Sequence, residues 1–96
     1  MRNIYLVCYD VSNPKRLRRM FKTMRGFGDP LQYSVFVCVL SPTERALLIG
    51  TLDELIHHTE DRVVVVNLGG ADGSPEGRIE FLGRRAQIPE RQAVVV

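Results

Sequence analysis

The spacing of apolar residues changes from one stretch of the chain to the next. Asn3 to Tyr9 is dense in Ile, Tyr, Val and Cys and too short for a helix, so it predicts a strand. Leu17, Met20, Phe21 and Met24 then recur at i, i+3, i+4 and i+7, the stripe of an amphipathic helix. Ser12 or Asn13 can cap that helix, Pro14 suits its first turn, and Gly26 and Gly28 stop it. From Leu31 to Leu40, Val35, Val37 and Val39 alternate against Phe36 and Cys38. This run is long for one strand. It is either a single strand or a pair split by a bend or tight hairpin near Tyr33-Ser34. Ser41-Pro42-Thr43-Glu44 reads as a capping box with proline at the first helical position. Leu48, Leu52, Leu55 and Ile56 supply the buried face of that second helix. Arg62 to Leu68 is a nearly continuous Val run, the pattern of a strand covered on both sides. Gly69 to Gly77 reads as a turn region and Arg78 to Leu82 as a further short strand. A polar stretch to Gln92 follows, then a small apolar tail from Ala93 to Val96.

With the long run split, the order is βαββαβ, which predicts an α+β, ferredoxin-like sandwich. Residues 1–82 are expected to form the domain and 83–96 an extra C-terminal strand or tail, able to pair with the partner subunit if it is a strand. Two helices cover one face of such a sheet, and a wet second face calls for alternating polar residues. Val63-Val64-Val65-Val66 does not alternate in polarity, so the expectation is a homodimer whose second subunit covers that face.

The chain has 96 residues, 45% of them hydrophobic and 25% charged, enough for one domain with a modest core. No apolar run approaches the roughly 18–20 residues needed to cross a bilayer, and no signal peptide is evident, so a soluble cytoplasmic protein without membrane contact is expected. Cys8 and Cys38 lie in strand-like runs without zinc-site spacing and read as buried thiols. Net charge is +2, but residues 1–30 carry seven Lys/Arg against two Asp, while residues 31–60 carry one Arg against four acids. The N-terminal third is therefore the part suited to an anionic partner.

Asp10 stands where the first strand gives way to the cationic helix. One reading is a solvated carboxylate favoured by the helix dipole. The other is a metal ligand, with Mg²⁺ taking one or two carboxylates alongside waters and substrate phosphates. One aspartate per chain is thin for catalysis, and a two-fold dimer would bring a second copy of Asp10. On the helix, Lys15, Arg18, Arg19, Lys22 and Arg25 share the solvent face with no intervening carboxylate, a mutual repulsion that a nucleic-acid backbone would relieve. Contacts of that kind go to phosphate and do not read base sequence. His57 and His58 are adjacent and point about 100° apart on a helix, unsuited to chelating one ion together.

Tyr9-Asp10-Val11-Ser12, the basic helix, Gly28 and Gln32-Tyr33-Ser34-Val35-Phe36 together resemble the small core CRISPR-associated adaptation protein, also called CRISPR-associated endoribonuclease, over roughly residues 3–68. The resemblance implies a ferredoxin-like homodimer with Asp10 of both subunits at the two-fold cleft. It implies Mg²⁺-dependent cleavage of RNA or duplex DNA. It also implies a partnership with the CRISPR integrase subunit, in which the dimer holds a DNA duplex for insertion. Asp10 falls on the family's catalytic metal aspartate, Tyr9 and Phe36 on its supporting aromatics in the catalytic set, and Arg16 and Arg19 on commonly basic helix positions. Lys15, Arg16, Arg18, Arg19, Lys22 and Arg25 are thus the expected nucleic-acid contacts. Leu31 stands where a basic residue is common, and Val37 where a glutamate is common, so the site is poorer in polar groups than the pattern. Two other readings compete: a non-catalytic DNA-bridging subunit, and a ferredoxin-like module that binds a small regulatory ligand.

Overall fold

The computed structural model describes residues 1–72 and 75–84. Its elements run β1 (Asn3–Asp10), α1 (Pro14–Arg25), β2 (Asp29–Gln32), β3 (Val35–Leu40), α2 (Pro42–Leu55) and β4 (Arg62–Gly70), followed by one 3-10 turn at Pro75–Arg78. The four strands form an antiparallel sheet in the order β2-β3-β1-β4. This is the expected ferredoxin-like arrangement. The Leu31–Leu40 run is indeed split, by a two-residue turn at Tyr33-Ser34.

The elements form for local reasons. Asn13 caps α1 through its side-chain oxygen, which accepts from the amides of Lys15 and Arg16 at 2.9 and 3.0 Å. Met20 and Met24 are fully buried beneath α1, with Leu17 and Phe21 packed beside them. Ser41 and Glu44 close a reciprocal capping box at the start of α2, and Leu48 and Leu52 bury its inner face.

Gly26 and Gly28 both close the helix, Gly26 in a right-handed turn and Gly28 through its amide, which donates to the Met24 carbonyl oxygen at 3.0 Å. Gly28 also lets the chain pass tight against β3: a Cβ there would press into the Val37 carbonyl oxygen and lie 2.5 Å from Cys38 Sγ.

Alternation divides the sheet into two faces. Tyr5, Val7, Tyr9, Phe36 and Cys38 join the helices in the core. The register aligns Leu6 with Val37 and Val66, and Cys8 with Val35 and Val64, so these residues share the opposite face. The β4 Val run is therefore two-sided. Val63 and Val65 pack toward the core, whereas Val64 and Val66 are 46% and 39% exposed.

Beyond β4, Arg78 donates from Nη1 to the carbonyl oxygens of Leu68 at 3.1 Å and Gly70 at 2.8 Å. Among the described residues, the strand expected at Arg78–Leu82 is absent: Arg78 closes the 3-10 turn, and residues 79–82 join no sheet. With its guanidinium spent on β4 carbonyls, Arg78 ties this segment to β4 through a side chain in place of a backbone ladder. Most of the tail expected at 83–96 lies outside the described residues.

Candidate functional site

Asp10 ends β1 and is exposed. Two-residue periodicity puts it on the same open face as Leu6 and Cys8, and the register sets it opposite Arg62, the first residue of β4. Among the described residues its carboxylate has no hydrogen-bonding or ionic partner, and no group of three His, Cys, Asp or Glu side chains gathers to hold a metal.

Tyr9 and Phe36 lie on the other face. Phe36 is fully buried, and the two rings stack with centroids 6.3 Å apart. The Tyr9 hydroxyl donates to the Tyr33 carbonyl oxygen at 2.5 Å. Burial, with a smaller contribution from Tyr33, pushes the Tyr9 phenol up to about 12, so it stays protonated and keeps that bond near neutrality. The structure thus separates the expected catalytic trio. Asp10 faces outward, while Tyr9 and Phe36 underpin the end of β1 from the core.

The loop after Asp10 is fixed by a carboxylate from far along the chain. The Asp61 side chain is fully buried and accepts from the Ser12 amide at 3.2 Å, the His57 amide at 2.8 Å, and Arg16 Nε and Nη2 at 2.8 and 3.0 Å. Arg16 also reaches Glu60 at 3.1 Å. The Arg16 bond, more than any other contact, holds the Asp61 carboxyl well below the usual carboxylate range. Arg16 itself is held protonated chiefly by its bond to Asp61.

Arg16 is therefore committed to structure and leaves the expected set of nucleic-acid contacts. Its partners supply the reason: a bidentate guanidinium–carboxylate pair is already closed. The remaining cations, Lys15, Arg18, Arg19, Lys22 and Arg25, are exposed along α1, with Arg25 Cζ 6.0 Å from the centre of the Phe21 ring. Sequence reading missed Asp61 and Arg62. Both sit at the mouth of the Val run, and nothing local marks their pairing with Arg16, 45 positions away, and with Asp10 still further back.

The geometry is that of one open carboxylate at the rim of an apolar sheet face, with a cationic helix behind it. The family model described as CRISPR associated protein Cas2 matches residues 3–73. This chain belongs to the Cas2 family. Among its curated relatives, the CRISPR-associated endoribonuclease Cas2 of Geobacter sulfurreducens is 38% identical over the full length of both chains. The CRISPR-associated endoribonuclease Cas2 1 of Rhodospirillum rubrum is 39% identical over 96% of this chain and 89% of its own. The crystal structure of Streptococcus pyogenes Cas2 at pH 6.5 superposes with a TM-score of 0.73 and 33% identity, covering 83% of this chain and 99% of that one. Cas2 membership goes against the small-ligand regulatory reading. Among the described residues no helix is long and apolar enough to cross a membrane.

Proposed function

We propose that this Cas2-family chain is a phosphodiesterase acting on RNA or duplex DNA in CRISPR adaptation, working as a homodimer beside the CRISPR integrase subunit. The observation that carries the reading is Asp10: a carboxylate without a partner among the described residues, standing exposed at the rim of a partly open apolar sheet face. The names of the curated relatives support the nuclease chemistry.

Asp10 is the residue that would hold Mg²⁺. A single hard carboxylate fits an ion that fills its remaining positions with water and phosphate oxygens, and a second copy of Asp10 would complete a pair. Bound there, the ion would activate water and neutralise charge on the phosphodiester. The chain's own residues do the rest. Arg62, across from Asp10, offers a cation on the same face. Lys15, Arg18, Arg19, Lys22 and Arg25 bind the backbone. Asp61, Arg16, Tyr9 and Phe36 hold the end of β1 and its loop in place.

The test compares wild type with Asp10→Asn on labelled RNA and duplex DNA with Mg²⁺, measuring cleavage and binding in parallel. Loss of cleavage on the order of a hundredfold or more, with binding retained, is the expected result. Binding without cleavage by wild type itself would instead make the chain the non-catalytic bridge. The exposed cationic stripe favours that second reading, because it needs no carboxylate.

A further inference from the structure

The hairpin tip carries an aromatic ring whose position the backbone-binding role does not explain. Tyr33 is 49% exposed in the two-residue turn between β2 and β3. Its ring lies parallel to Phe21, with centroids 4.6 Å apart and planes 9° from one another. Phe21 in turn meets Phe36 edge-on at 5.4 Å. Phe36 is fully buried. The stack is rooted in the core, and its last ring is the one most open to solvent. Phe21 covers one face of Tyr33, which leaves the other for a ligand.

That ring is also held in place. The Tyr9 hydroxyl binds the Tyr33 carbonyl oxygen, and the Tyr9 amide binds the Ser34 carbonyl oxygen at 3.1 Å. These bonds fix the hairpin tip at the end of β1 that bears Asp10. On α1, Arg18 and Arg25 lie three residues before and four after Phe21, on its side of the helix and about 10 Å apart along the axis. Both are exposed. An ordered aromatic face, stacked on a ring that two cations bracket along the helix, matches a base with a phosphate on either side. Every base has a π-face, and such stacking is tolerant of sequence.

We propose that Tyr33 is a stacking platform for an unpaired nucleobase, with Arg18 and Arg25 taking the flanking phosphates. The proposal rests on the nucleic-acid reading above and narrows it to strands, overhangs or loops whose bases are unstacked. A blunt duplex keeps its internal bases paired and offers the platform little. The platform lies on the helix side of the sheet, so a second subunit on the opposite face would leave it open.

The experiment uses the full chain and a single-stranded oligonucleotide carrying 2-aminopurine, alongside a blunt duplex of the same length. Affinity comes from fluorescence anisotropy and stacking from 2-aminopurine quenching. For Tyr33→Leu, single-strand affinity falls on the order of tenfold and quenching is lost, while duplex affinity stays within about twofold. Tyr33→Phe, which keeps the ring, restores both. Unchanged single-strand affinity and quenching in Tyr33→Leu would overturn the platform. If wild type bound neither oligonucleotide at low salt, the broader nucleic-acid reading would fall with it. Wild-type binding that responds to Arg18→Ala but not to Tyr33→Leu would overturn the platform alone.

Discussion

Asp61 shows how much one side chain can carry at the scale of a residue. Its carboxylate joins the loop after β1, the first turn of α1, the stretch after α2 and the start of β4. Its folded-state pKa is depressed, so the stability it adds is complete above the ordinary carboxylate range and is lost as pH falls toward the lower folded value. Acid unfolding followed by circular dichroism is therefore expected to be less steep below about pH 4 in Asp61→Asn than in wild type. At neutral pH the same variant is expected to melt on the order of 10 °C lower. Gly28 makes a second residue-scale prediction. Gly28→Ala forces a methyl against β3 backbone and is expected to cost about 1–3 kcal/mol in urea unfolding.

The two helices are stabilised differently at the scale of elements. α2 begins on a complete capping box, so Ser41→Ala is expected to cost about 1 kcal/mol with no effect on nucleic-acid binding, as unfolding and anisotropy would show. α1 keeps a row of exposed cations. Replacing Arg18 and Arg19 by alanine is expected to lower the slope of log affinity against log salt by about 1–2, with little change in stability. Both helices were legible in the sequence because caps and 3.6-residue periodicity are local signals. Even so, Arg16 could not be told from Arg18 or Arg19 there, since its partners arrive with β4. The hairpin at Tyr33-Ser34 carried no Gly or Pro, and only strand length hinted at it. Arg78–Leu82 had a strand-like composition, but, among the described residues, 79–82 take no place in the sheet. The faces taken by Val63 to Val66 depended on register, which four similar side chains do not encode.

For the whole molecule, the open face decides the outcome. Leu6, Cys8, Val35, Val64 and Val66 present an apolar surface without the alternating polar residues a wet sheet face requires. A proposed homodimer through this face predicts a sedimentation mass of twice the 10.9 kDa chain. Val64→Asp is expected to shift that species to monomer while leaving the core intact, because Val64 is not among the core residues.

The strand order has one more consequence, for how far assembly can go. The flanking strands are unequal. β2 has four residues, one of them Pro30, which has no amide hydrogen to offer a neighbour. β4 has nine, and Arg78 occupies carbonyls only at its far end. Among the described residues, one margin of the sheet is therefore blunted and the other receptive. A ribbon that grew by edge pairing would need both margins to accept a strand. With one receptive margin per chain, edge pairing joins two chains and stops, so it cannot by itself extend the sheet into a fibre.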